Sequence, residues 1–420
     1  MRRAPCGGIE EALSEKGIQY LREFEPRKAL PLLKRAALKE KTYGALINYG
    51  AAQRGCSLIH EAQETLLEAL AIDQTRPEAW SNLGQCAEDL GQFTDAPGYF
   101  LRALQCIEKN GTPLHSAGEP LLAFAYSMMR LGNFKYVWPV WEACRINRSW
   151  APFPVLHPWK GEKGAKLLVV AEGGFGDAFN FLRWLPRLPL ATATVLAWDG
   201  MFEIIKATLD PLGIRVLPLS HKFQYDELAE YTHCAPYLSL MTGFEQWSEI
   251  PPPLQWLPRG RIVAPPNDWI GFCWHAEEGG YARRFRSLDK PAADQIGKYL
   301  SGKAERVVSL CPQGKHLYRK ADLSVPKGVT QDDQLLADWE ATARTILKCR
   351  MVVTVDTAVY HLSASLGVPT LILNPLRSDW KHQLPPLTTT SFYGSNVKQF
   401  RNTHPTRWEV SKIIEAIDSL

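Results

Sequence analysis

The chain lacks any apolar run approaching the roughly 20 residues that a membrane-spanning helix needs; its longest are short stretches such as Leu167–Ala171. It has no C-x-x-C pair and no metal-type cluster of cysteine and histidine, which removes the usual signature of zinc and dithiol-redox modules. The nine cysteines are scattered from Cys6 to Cys349. An odd, dispersed count of this kind reads as reduced, mostly buried thiols in a reducing compartment. H-E-x-x-H is missing, as is G-x-S-x-G, so zinc hydrolases and α/β-hydrolases find no support. Charge of one sign is not in large excess. A formal net charge of +4 is too small to imply nucleic-acid binding by itself. Met1-Arg2-Arg3 carries the charge of a signal peptide without the apolar segment that should follow, so a cytoplasmic location is expected.

What is present fits a globular protein: 45% hydrophobic and 22% charged residues over 420 positions, a length that usually makes two or three domains. The first third repeats. Trp80, Leu83, Gly84, Ala96, Phe100 and Ala103 align with Leu46, Tyr49, Gly50, Ala62, Leu66 and Ala69, and again with Leu13, Gly17, Ala29, Leu33 and Ala36. Further on, Leu90-Gly91-Gln92-Phe93 matches Leu131-Gly132-Asn133-Phe134, and Phe100 matches Trp141. A small residue at the eighth position of each copy (Gly17, Gly50, Gly84, Ala125) lets two helices approach, and a large one at the twenty-fourth fills the space beyond. One such hairpin cannot bury its apolar face alone, so the copies must stack. The pattern resembles the tetratricopeptide repeat and is expected to occupy residues 1–150, with Trp80, Phe100 and Trp141 as repeat core. Three prolines between Trp150 and Pro158 then forbid a helix and mark a joint.

After that joint the period changes. A β-branched run at Lys166–Ala171 leads into Glu172-Gly173-Gly174-Phe175-Gly176-Asp177, followed by a helical pattern through Leu188. This is strand, glycine loop and helix, the opening of a doubly wound sheet. Further strands are expected at Thr194–Trp198 and Ile214–Leu219. A proline-rich stretch from Pro251 to Pro266 reads as an interdomain joint, and more strands follow at Trp269–Trp274, Arg306–Leu310, Met351–Val355 and Thr370–Leu373. The expected fold class is therefore α plus α/β, with a helical array and two Rossmann-like domains over residues 151–260 and 261–420. Ligands of such sheets bind in a cleft at the strand ends.

The most informative segment is Val355-Asp356-Thr357 to His361-Leu362 to Leu366-Gly367 and Pro369. A buried strand runs into a helix whose unpaired N–H groups and dipole suit phosphate. Asp356 repels a diphosphate, so it is expected to be the helix N-cap, leaving phosphate contact to Thr357, the backbone and His361, one turn further on the same face. Asp177 is open to two readings, a reactive carboxylate or a cap for a helix starting near Ala178. His361 is likewise either a ligand contact or a satisfied core histidine. A dinucleotide oxidoreductase could use Gly174, Gly176 and Asp199, but Phe179 stands where that fingerprint needs a third glycine.

These residues resemble the sugar-nucleotide motif V-D-T-x-x-x-H-L-x-x-x-L-G-x-P of ADP-heptose–lipopolysaccharide heptosyltransferases and of tetratricopeptide glycosyltransferases, and more distantly the O-linked N-acetylglucosamine transferases. Glu172 to Asp177 is similar to the family's E-Q-G-x-G-D, with Gly173 departing from the glutamine; Arg286-Ser287 and the run from Pro375 to Trp380 match two further elements. The resemblance implies a GT-B glycosyltransferase, inverting and metal-independent, that moves a sugar from a nucleotide-sugar donor to a protein or glycan acceptor held by the repeats. No bound cofactor is implied, and there is no D-x-D to hold a metal. Gly174, Gly176, Arg286, Lys315, Asp356, Thr357 and His361 would serve the donor, with Arg283 and Arg284 as further cations or as a solvated face. Asp177 matches the family's general base, and His275 is the alternative base. The competing expectation is an inactive tetratricopeptide adaptor with a vestigial GT-B module.

Overall fold

The computed structural model describes residues 7–113, 116–146, 153–243, 250–256, 268–276, 286–311, 324–382 and 393–419. They form a helical unit, ending with residue 146 of the described chain, and an α/β unit that begins by residue 153. Among the described residues no helix is long and apolar enough to cross a membrane.

The helical unit is built from α1 (Gly7–Arg22), α2 (Pro26–Glu40), α3 (Tyr43–Gly55), α4 (Ile59–Ile72), α5 (Pro77–Asp89), α6 (Ala96–Lys109), α7 (Glu119–Arg130) and α8 (Phe134–Ile146). They pack as four successive hairpins. Proline opens α2 and α5, where its missing N–H costs nothing, and Thr42 caps α3 by accepting the Ala45 N–H at 3.3 Å. The small–large pairing inferred from the repeat sets the hairpin spacing. A Cβ on Gly17 would lie 2.7 Å from Leu33, one on Gly50 3.0 Å from Leu66, and one on Gly84 2.7 Å from Phe100. Ala125 and Trp141 fill the same positions of the fourth copy and are buried. Trp80 packs against the core of the repeats, at its edge. It is only half-buried, its indole donating to Gln74 O at 3.0 Å and stacking on Tyr99, because the polar indole nitrogen finds its acceptor at the surface. Ion pairs tie neighbouring repeats: Arg54 to Asp89 at 2.6 Å, and Arg130 to Glu88 with both side chains buried.

The α/β unit holds two five-stranded sheets, parallel throughout. The first contains β1 (His157–Pro158), β2 (Lys166–Val170), β3 (Thr192–Ala197), β4 (Arg215–Pro218) and β5 (His233–Pro236) in the order β1-β5-β2-β3-β4. The second contains β6 (Trp269–Cys273), β7 (Arg306–Ser309), β8 (Cys349–Val355), β9 (Thr370–Asn374) and β10 (Val397–Arg401) in the order β10-β9-β8-β6-β7. Central strands such as β8 and β9 are buried on both faces, which is why they read as continuous apolar runs. The crossover helices are α9 (Phe175–Phe181), α10 (Phe202–Leu209), α11 (Tyr225–Leu228), α12 (Lys290–Ser301), α13 (Trp339–Lys348) and α14 (Ala358–Ser365), with α15 (Val410–Asp418) closing the chain. The helical pattern after the glycine loop ends at Phe181, and a 3-10 helix over Leu182–Arg187, containing Pro186, takes its place.

Each sheet reverses its strand order once, between β2 and β5 and between β6 and β8. These reversals open the crevices in which ligands of doubly wound sheets sit. The glycine loop follows β2, and the Asp356-Thr357 turn follows β8. Aromatic rings join the two halves: Trp339 of α13 meets Phe175 and Phe179 of α9 edge-on, at 5.6 and 5.1 Å, and Phe179 meets Trp256 at 5.2 Å. Phe179 is fully buried in this cluster.

Candidate functional site

The two crevices meet where α9 packs on α14. A Cβ on Gly176 would lie 2.7 Å from His361 Cδ2, 3.3 Å from its Nε2 and 3.4 Å from Ala358 Cα, so only glycine allows this approach. Gly174 is the N-cap of α9, and Asp177, at its third position, reaches back to accept the Gly174 N–H at 2.9 Å. Capping by Asp177 therefore comes from inside the helix, whose start lies at Phe175, before the expected Ala178. Gly173 has φ +71, and a Cβ there would meet Asp177 Oδ2 at 2.4 Å. Glycine is what this loop conformation requires.

The second oxygen of Asp177 faces Lys381 Nζ at 3.1 Å, an ion pair between the halves. Burial opposes the charge of Lys381, yet Asp177, Asp379 and Asp356 together raise its pKa and keep it protonated. Asp356 is buried, its Oδ1 3.3 Å from His382 Nε2 and its Oδ2 3.7 Å from Arg286 Nη1. Burial penalises its charge, but His382, Arg286 and Lys381 overcome that and hold the carboxyl well below its ordinary range. The expected N-cap role of Asp356 is thus incorrect. Thr357 occupies the N-cap of α14 without a side-chain cap bond, while the Asp356 carboxylate turns away from the helix end toward His382 and Arg286. Thr357 Oγ1 lies 3.4 Å from Thr354 Oγ1 and 3.8 Å from Cys273 Sγ, joining the ends of β8 and β6 at the crevice.

His361 is buried, and its Nδ1 lies 2.8 Å from the Tyr393 hydroxyl. Burial first, and then the nearby Lys381, push its pKa well down, so the ring is neutral at neutral pH. His275 sits half-buried just past β6, where Ser287 Oγ steadies the loop by accepting the Ala276 N–H at 3.1 Å. Lys315, Arg283 and Arg284 lie outside the described residues. The structure thus brings Gly174, Gly176, Asp177, Arg286, Asp356, Thr357 and His361 into one neighbourhood. It adds Lys381, His382 and Tyr393, which the sequence reading missed. Lys381 and His382 directly follow the Asp379-Trp380 element already singled out, so their position was an available signal. Tyr393 offered none. Among the described residues no three side chains of His, Cys, Asp and Glu are grouped to hold a metal ion, and Cys56, Cys86, Cys106, Cys234, Cys273, Cys311 and Cys349 are free thiols.

No family model matches the chain. No curated protein matches it either. Among solved structures, similarity extends to the E. coli heptosyltransferase WaaC with ADP, at 13% identity over 60% of this chain and 99% of that one, TM-score 0.40. It extends also to a mutant O-GlcNAc transferase from Thermobaculum terrenum, at 12% identity over 90% and 84%, TM-score 0.36. The chain is similar also to the Sgt2 TPR domain from Aspergillus fumigatus, at 20% identity over 30% of this chain and 82% of that one, TM-score 0.27. The class of fold, a helical repeat array with two doubly wound parallel sheets, rests on the strand pairing and hairpins described above.

Proposed function

We propose that this protein is a glycosyltransferase that binds a nucleotide-activated sugar where α9 meets α14 and transfers the sugar to a protein or glycan acceptor. The observation that carries the reading is the contact between Gly176 and His361, which unites the two segments bearing the sugar-nucleotide resemblance. In this reading residues 1–150 hold the acceptor, residues 151–260 form the acceptor-side half and residues 261–420 the donor half. Stacked repeats offer the extended surface that partner binding needs.

The diphosphate would lie at the uncapped first turn of α14, met by backbone N–H groups, Thr357, His361 and Arg286, with Lys315 as a further cation. Asp356 would act by neutralising and orienting Arg286. Asp177, on the acceptor side, would take the proton of the attacking hydroxyl or amide as the anomeric bond breaks, with inversion. His275 is the alternative base. One observation favours a second reading, a nucleotide-binding adaptor without transfer: both oxygens of Asp177 are already engaged, by Gly174 and Lys381.

Because side chains and helix N–H groups supply the counter-charge, turnover should not need a divalent metal. Hydrolysis or transfer from a panel of sugar nucleotides, measured with and without EDTA, tests both points. Activity that persists in EDTA is expected. Activity lost in EDTA and restored by manganese would overturn the metal-independent mechanism, and no turnover of any donor would favour the adaptor.

A further inference from the structure

Behind His361 lies a buried column that neither the donor contacts nor the proton transfer employs. Arg183, in the 3-10 helix after α9, has a fully buried side chain. Its Nε donates to Asn180 O at 2.8 Å and its Nη1 to Pro251 O at 3.3 Å, and its guanidinium carbon stands 4.5 Å from the centre of the Tyr393 ring. The Tyr393 hydroxyl in turn lies 2.8 Å from His361 Nδ1. Tyr393 and His361 are buried too, and the Tyr360 ring packs on both.

The chemistry of the three groups fixes the direction of the column. A guanidinium has donors and no acceptor, and its charge repels a phenolic proton turned toward it. Ser365 also lies beside the Tyr393 hydroxyl, but its own proton is committed to His361 O at 2.7 Å and the imidazole nitrogen, at 2.8 Å, is the stronger acceptor, so the Tyr393 proton is directed at His361 Nδ1. A neutral imidazole that accepts at Nδ1 carries its own proton on Nε2. That Nε2 edge lies against Gly176, and among the described residues Nε2 has no hydrogen-bond partner.

We infer that Arg183 and Tyr393 are positioning residues that lock His361 in the tautomer presenting Nε2–H toward the crevice, as a donor to a phosphate oxygen of the sugar nucleotide. The ligand in this statement rests on the function proposed above; the tautomer does not. The opposite tautomer would turn a lone pair toward an anion. An imidazole free to exchange tautomers would hold part of its population in that repulsive form. The column removes that population before the ligand arrives, which is pre-organisation in the sense used for binding sites generally.

The tautomer is read in the free, full-length protein by long-range nitrogen NMR of labelled histidine, with His361→Gln assigning the signal. The Nε2–H form is expected in the wild type, and Tyr393→Phe should shift it toward a mixture. Affinity for ADP, UDP and GDP, measured by calorimetry, gives the second readout. Loss of one well-oriented hydrogen bond to an anion should weaken the nucleotide that binds by about tenfold in Tyr393→Phe. In the His361→Gln background the same change should add about twofold or less, because the glutamine amide does not depend on the column. Arg183→Met should move the His361 signal in the same direction. An unchanged tautomer in Tyr393→Phe, or an equal loss of affinity in both backgrounds, would overturn the inference. If no nucleoside diphosphate bound the wild type, the proposed function would fail, while the NMR would still decide the tautomer.

Discussion

The carboxylate of Asp177 has two partners, the Gly174 N–H at 2.9 Å and Lys381 Nζ at 3.1 Å, and a substitution acts on both at once. Asp177→Asn keeps an oxygen for Gly174 but leaves Lys381 without that counter-charge, at a cost of about 3 kcal/mol for a broken, largely buried pair. The double variant Asp177→Asn, Lys381→Met should recover most of that stability. If Asp177 is the general base, single-turnover rates at saturating donor should fall by about 10²–10⁴ in both variants. Near-wild-type turnover in the double variant would end the assignment. His361 provides a second expectation, read through pH. Its folded-state pKa is depressed by burial and Lys381, so below the unfolded value near 6.5 the unfolded chain binds a proton that the folded one refuses. Its contribution to stability is complete above that value and is lost as pH falls toward the folded pKa, by about 1.4 kcal/mol per pH unit. Chemical unfolding of wild type and His361→Gln between about pH 7.5 and 5.5 should show the wild type losing more. Parallel curves would mean that His361 titrates normally.

Among the elements, the helical hairpins yield the sharpest contrast. A Cβ on Gly84 would stand 2.7–2.9 Å from three atoms of the Phe100 ring, which cannot bend away, whereas one on Gly50 meets Leu66 at 3.0 and 3.1 Å, a side chain free to rotate. Gly84→Ala should therefore cost up to about 2 kcal/mol, an overpacking penalty of about 1–3 reduced by the roughly 1 gained in helix propensity. Gly50→Ala should be close to neutral, and thermal or urea unfolding of the two variants checks the order. Equal effects would show that the spacing of the hairpins is set elsewhere. These glycines were legible in the sequence because their large partners recur at the same distance in each copy. Strands β2, β3, β4 and β6 to β9 were legible as β-branched apolar runs. Three were not: β1 has two residues, β5 reads His-Cys-Ala-Pro, and β10 carries Lys398, Gln399 and Arg401 at a sheet edge. Pairing with a neighbour, rather than local pattern, makes them strands.

The molecule as a whole joins a repeat array to two sheets whose crevices face one another through α9 and α14. The order of domains could be read from the change of period, and the segments that meet at α9 and α14 from their motifs. The partners of those motifs could not, because Lys381 reaches Asp177 over 204 positions and Tyr393 reaches His361 over 32, and no local rule links them. The central claim is that this junction binds a nucleoside diphosphate carrying a sugar. It is tested most directly by thermal unfolding of the full chain against ADP, UDP, GDP and their sugar conjugates, with NAD as the control. One nucleotide family, present at 100 times its dissociation constant, should stabilise the wild type by about 2.7 kcal/mol. That shift should shrink in His361→Gln. A flat response to every nucleoside diphosphate and sugar nucleotide, or stabilisation by NAD alone, would contradict the account.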